Sequence, residues 1–248
     1  MGFFDRSGLA PLPEYVVVVS DRARRVRLTV RAGEPVRVTV PRGFPVRRAA
    51  GFVAGSLPWI ARTRERVERR AAVLRERAGE PLPDVVELPG IGLRAEVVYR
   101  RTGARGVRAI ERTRGTVTVE GCVSDETACK AALCRWVLAT ARRELPALAW
   151  RVAGDVGCAP RSIAVTWPRR RWGSCSASGD IRLSAALLFL PPVDVRATVI
   201  HEFAHLAVLD HSPRFHAEVG RLDPAAAHRR ARTPHQEEST PGWALRQG

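Results

Sequence analysis

Lysine is nearly absent from this chain: of 41 basic residues, only Lys130 is not an arginine. Methionine is confined to Met1, and aromatic residues make up 6%. No apolar run approaches the ~20 residues a membrane helix needs. The longest runs, Tyr15–Val19 and Ala185–Val193, suit buried elements, so no membrane association is expected. The opening Met1-Gly2-Phe3-Phe4-Asp5-Arg6 has no basic lead before an apolar stretch, and no secretory leader is expected. Arg6 stands where a myristoylation motif needs Ser or Thr. The five cysteines (Cys122, Cys129, Cys134, Cys158, Cys175) form no C-x-x-C pair, and their count is odd. A disulfide framework is thereby disfavoured, and a reducing, cytoplasmic setting with small buried thiols is the expectation.

What is present is a chain of 248 residues, 45% hydrophobic, long enough for one large domain or two modest ones. Its formal charge of +16 has two readings. One is a polyanion partner, a nucleotide or nucleic acid held on an arginine-rich surface. The other is a solvated surface in an arginine-rich composition, since net charge speaks to solubility and steering.

Patterning predicts strands over Tyr15–Ser20, Val26–Arg31 and Pro35–Val40, then helices over Pro45–Ala54 and Leu57–Ala78. A second set of strands follows at Val85–Leu88, Leu93–Arg101, Val107–Glu111 and Thr116–Glu120. A long helix is expected over Asp125–Val152, interrupted near Pro146. Strands Ser162–Trp167, Arg171–Ser176 and Asp180–Ser184 come next, the last two joined by a Ser178-Gly179 hairpin turn. Helices then span Pro192–Leu209 and Arg214–Leu222, the latter capped by Ser212 with Pro213 in its first turn. The fold class read from this is α+β. Its divisions are a β-rich N-terminal portion with helices (1–122), a second domain (123–231) and a loose tail (232–248).

The chemistry concentrates in Val199-Ile200-His201-Glu202-Phe203-Ala204-His205-Leu206. Residues four apart share one helix face, so His201 and His205 can offer two imidazoles to one metal ion. Glu202, one step round the helix, stands beside the metal rather than on it, where it can take a proton from a bound water. His211 follows His205 by six residues, the offset of the metzincin pattern. Val208 replaces the metzincin glycine, and with Met1 the only methionine there can be no Met-turn. A turn at Asp210 would bring His211 back beneath the helix end, giving three histidines plus water. That is an open site of the catalytic kind, zinc being the natural ion and other divalent metals admissible. The chemistry implied is hydrolysis of a peptide carbonyl or of a phosphoanhydride.

Arg171-Trp172-Gly173-Ser174-Cys175-Ser176, Ile181-Arg182-Leu183, Pro191-Pro192, the His201–Leu206 segment and Asp210-His211-Ser212-Pro213-Arg214-Phe215 together resemble the YgjP-like metallopeptidases, relatives of the SprT-like and WLM zincin proteins. Upstream, Arg24-Arg25-Val26-Arg27-Leu28, Val40-Pro41-Arg42-Gly43 and Pro58-Trp59-Ile60 extend the similarity over most of 20–222. The resemblance implies a zincin-like domain with zinc on His201, His205 and His211, catalytic Glu202, and a peptide or protein substrate. It also implies an edge strand at Trp172-Gly173-Ser174 that pairs with an extended substrate. Gly173 would allow a close backbone approach; an ordinary buried strand is the competing reading. The Arg169-Arg170-Arg171 run either contacts an anionic substrate or is simply solvated. Two departures stand out: His216 where the family has Trp, and Asp210 where it has Asn. Asp210 is either a support for His211 or a helix-terminating residue. Two other functions compete with a peptidase: a nucleotide (phosphoanhydride) hydrolase, and a protease docked on nucleic acid by its basic surface.

Overall fold

The computed structural model describes residues 12–168, 171–225 and 236–245. The mixed α+β class is what the structure shows. The chain divides into two compact units, one ending at Glu76 and the other beginning at Arg77.

In the first unit, β1 (Tyr15–Ser20), β3 (Val36–Pro41) and β2 (Arg27–Thr29) form a sheet in that order, β1 parallel and β2 antiparallel to the central β3. Alternation explains the sheet's inner face: Val36, Val38 and Val40 are fully buried, while Arg37 between them is exposed. Helices α1 (Ala49–Gly55) and α2 (Leu57–Ala78) cover that face with Ala49, Val53 and Ile60.

The second unit carries the site. Its four-stranded sheet has the order β4 (Val85–Leu88), β5 (Leu93–Arg101), β7 (Thr116–Gly121), β6 (Val107–Thr113). One face is built from Val86, Leu88, Ala95, Val97, Val117 and Val119, all in the core. Against it lies α3 (Glu126–Val156), capped by the Asp125 carboxylate, which accepts from the Ala128 amide at 2.9 Å. The helix runs on through Pro146 rather than breaking there. One proline inside a helix costs about 3 kcal/mol. Buried Leu145, Ala149 and Val152 on either side offset it, at ~1.5–3 kcal/mol for each large apolar side chain.

The other end of α3 packs on a second sheet, β8 (Ser162–Thr166), β10 (Asp180–Ser184), β9 (Gly173–Cys175). A single core therefore includes Val117 of the first sheet, Leu133 of α3 and Leu183 of the second sheet. The division expected at 122/123 falls inside this second unit and within that core. Helices α4 (Pro192–Ala204), α5 (Pro213–Leu222) and α6 (Gln236–Ser239) complete the described elements.

The tail expected to be loose at 232–248 is packed over its described part. Gln236, Thr240, Trp243 and Ala244 are buried. The Arg77 guanidinium donates to the carbonyls of Glu238 and Thr240, and the Gly242 amide donates to Glu80 at 2.7 Å. Gly242 is required here: a Cβ would fall 1.9 Å from the Arg77 carbonyl oxygen. Trp243 meets Phe189 edge-on at 6.1 Å, and that contact gives an otherwise polar segment its anchor. Residues 232–235 and 246–248 lie outside the described residues, as do Arg169 and Arg170.

Candidate metal centre

Helix α4 starts at Pro192, whose missing N–H falls in the first turn where no intrahelical partner exists. The helix is nearly all buried, so His201 and Glu202 are carried into the interior at 7% and 4% exposure. It ends at Ala204, five residues short of the Leu209 expected from the apolar pattern. His205 is its C-cap, and the chain then tightens, with the Leu206 and Ala207 amides bonding to the carbonyls of Phe203 and Ala204. The early stop brings the chain back on itself. Asp210 completes the reversal by accepting the Ser212 amide at 3.0 Å. Hydrogen bonds from the Ser212 hydroxyl and amide hold the Asp210 carboxyl below its ordinary range. Asp210 is thus the turn-former that aims His211. Ser212 caps α5 in position, though its side chain makes no cap bond.

The three imidazoles converge. One nitrogen from each of His201, His205 and His211 lies within 4.8 Å of the other two. The Nε2 atoms of His201 and His211 are 3.2 Å apart. Two nitrogens each ~2.05 Å from a tetrahedral ion would sit about 3.3 Å apart, so the spacing suits a shared cation. His205 Nδ1 donates to the Val208 carbonyl at 2.9 Å. That bond places the proton on Nδ1 and turns the Nε2 lone pair toward the cluster, the support that metal-binding histidines use. An all-nitrogen donor set of this size fits zinc and its divalent neighbours.

Phe215 on α5 is the part that spacing arguments did not single out. It is fully buried, and its ring lies 4.7, 4.3 and 4.9 Å from those of His201, His205 and His211. Its signal was present in the sequence: an aromatic four residues past His211, one turn into the next helix.

Of the expected substrate residues, Gly173 and Ser174 lie on β9, at the edge of the second sheet. Ser174 pairs with Arg182 of β10 on one side; on the other, no strand pairs with β9 among the described residues. Gly173 presses against the site. A Cβ there would lie 2.7 Å from Cγ and 2.9 Å from Oε1 of Glu202. Trp172 belongs to the core at 6% exposure, and its carbonyl accepts from the Ser184 amide. Arg171 is exposed. Burial pushes the Cys175 thiol up, with the negative charge of Glu202 adding to it. All five cysteines are free, and Cys175 is not among the residues that converge as ligands.

His201 in α4, His205 at its C-cap and His211 after the turn form a cluster that could hold a metal ion, with the buried Glu202 next to His201 and an edge strand alongside. The model of the YgjP-like metallopeptidase domain matches residues 24–235, and the chain belongs to that family. A metal-dependent peptidase is thereby supported at the family level. A search of solved structures finds similarity to the metallopeptidase zymogen abylysin of Pyrococcus abyssi, at 25% identity and a TM-score of 0.31. That likeness covers 35% of this chain and 88% of the other. Comparison with curated proteins gives no match. None of these findings supports nucleic-acid docking or phosphoanhydride chemistry. No helix among the described residues is long and apolar enough to cross a membrane.

Proposed function

We propose that this chain is a zinc-dependent peptidase in which His201, His205 and His211 hold one ion and Glu202 is the general base. The convergence of the three ring nitrogens carries this reading. When bound, the ion supplies a Lewis acid that polarises the scissile carbonyl and lowers the pKa of water toward ~7. Glu202 accepts the proton of the attacking water as the C–O bond forms. It then returns that proton to the leaving amine as the C–N bond breaks. Burial of Glu202 strengthens this, because fixed charges in a dry site act in a low dielectric. The outward edge of β9 offers the backbone of Gly173 and Ser174 to an extended peptide, which pairs with it as an added strand. The core position of Trp172 makes it the support of that edge, and exposed Arg171 meets the flanking part of the substrate.

The test is a peptide library presented to zinc-loaded protein, beside nucleoside triphosphates. Glu202→Gln is expected to keep one equivalent of metal and lose peptide cleavage. Undiminished cleavage in that variant, or turnover of triphosphates alone, overturns the reading.

A further inference from the structure

The outer face of the four-stranded sheet carries a second cluster of charge that the peptidase reading leaves unused. Glu120 on β7 is flanked across the sheet by Arg100 of β5 and Arg108 of β6, each its direct register partner. The irregularity in β6 between Glu111 and Thr113 lets Arg112 reach the same carboxylate. Arg108 donates through Nε at 2.8 Å and Nη2 at 2.7 Å to Oε1. Arg112 donates at 3.2 Å to Oε2, which also accepts from Arg100. Four contacts saturate a carboxylate's lone pairs. Glu120 can therefore neutralise no further charge, and three guanidiniums against one carboxylate leave the cluster at net +2.

The arrangement differs from a scatter of surface arginines in two ways. First, it is ordered from beneath. Glu120 is 3% exposed, whereas the Arg100, Arg108 and Arg112 side chains are 56, 73 and 51% exposed. Each guanidinium spends one or two of its five N–H groups on Glu120 and presents the rest outward. Second, it opens on a hollow. Arg100, Arg108 and Glu120 line it on one side and Thr102, Ala104 and Gly106 of the β5–β6 loop on the other, around an open space of about 600 Å³, with Arg112 outside the lining. That loop is held down at Gly121, where a Cβ would come within 2.0 Å of the Gly106 carbonyl oxygen. Gly121 also has φ +133, which only glycine adopts readily.

We propose that this hollow binds a phosphate dianion, the terminal group of a phosphomonoester. The Arg100 and Arg108 guanidiniums line the hollow and their forks pair with the oxygens of the dianion bidentately, while Arg112 outside it helps neutralise Glu120. The remaining volume is that of an ordinary small-molecule site and admits the organic group that bears the phosphate. Every group involved lies on β5, β6, β7 or the β5–β6 loop, so binding is independent of metal.

The test is calorimetric titration of the full chain with phenyl phosphate and with inorganic phosphate, in the presence of a chelator and at two salt concentrations. Arg100→Gln/Arg108→Gln is expected to weaken phenyl phosphate binding at least tenfold. Arg142→Gln/Arg151→Gln removes the same charge from exposed positions of α3 and is expected to change it less than twofold. Circular dichroism and a thermal melt establish that both variants fold. Should the first pair fail to fold, Arg108→Gln alone serves in its place, with a severalfold loss expected. Equal weakening by both double variants would mean that bulk charge alone attracts the anion, and overturns the site. Absence of phosphate binding by the wild type overturns it as well. So does binding of a single-stranded oligonucleotide that leaves phenyl phosphate unable to compete.

Discussion

Gly173→Ala is the most informative single change at the metal centre. The added Cβ would fall 2.7 Å from Cγ, 2.8 Å from Cδ and 2.9 Å from Oε1 of Glu202. Non-bonded carbons rest at ~3.5–4.0 Å. Either the Glu202 side chain retreats by about 1 Å or β9 moves outward by as much. Glu202 is 4% exposed, so it has little room to swing aside without displacing its carboxylate. A misplacement of about 1 Å costs on the order of 10²-fold in rate, equivalent to ~2.7 kcal/mol of transition-state stabilisation. The three atoms nearest such a Cβ all belong to Glu202, so the protein should still take up one metal ion. The assay is kcat on a cleaved peptide, measured beside metal content on the same preparation. Native kcat in Gly173→Ala would show that Glu202 does not act from this position. Loss of metal together with activity would show that the substitution disturbed the triad instead.

Three further outcomes follow from the same geometry. Replacing His201, His205 or His211 singly by Ala should abolish stoichiometric metal uptake by mass spectrometry; retention of a full equivalent by any of them removes that residue from the ligand set. Phe215→Ala should lose about 3–5 kcal/mol in denaturant unfolding, since it empties a fully buried site beneath three rings, and weaken metal affinity besides; an unchanged unfolding midpoint would refute its supporting role. The carboxyl of Glu120 is held down at about 2, chiefly by its hydrogen bond from Arg100, with Arg108 and Arg112 adding to it. A depressed native pKa gives stability that is present above the unfolded value of about 4.5 and is lost as pH falls toward 2. Glu120→Gln should therefore flatten the decline of stability between those two values, and an unaltered acid-unfolding profile would refute the linkage.

Much of this fold was legible because its signals are local. Alternation in Val36–Val40 and the three-and-four spacing from Ala128 to Ala141 each record a surface that must be buried on one side. The exceptions have non-local causes. Pro146 stays helical because α3 is clamped between two sheets, a packing force that no propensity contains. Strands β4–β7, which by pattern resemble the N-terminal strands, share a core with α3. The tail read as loose because its anchors, Gly242 on Arg77 and Trp243 on Phe189, are distant in sequence.

The sequence alone singled out His201, His205 and Glu202 as candidates. Helical periodicity places His201 and His205 on one face with Glu202 beside them, whatever surrounds the helix. What only the tertiary structure decided is whether His211 joins them. That depended on α4 stopping at Ala204, on the turn made by Asp210, and on Phe215 seating beneath the three rings. Likewise, no reading of spacing could show that Gly173 lies against Glu202, or that Arg100, Arg108 and Arg112 gather on Glu120. Contacts between strands depend on register and on the path of the chain between them. Those are set when the whole core closes, not by any segment taken singly.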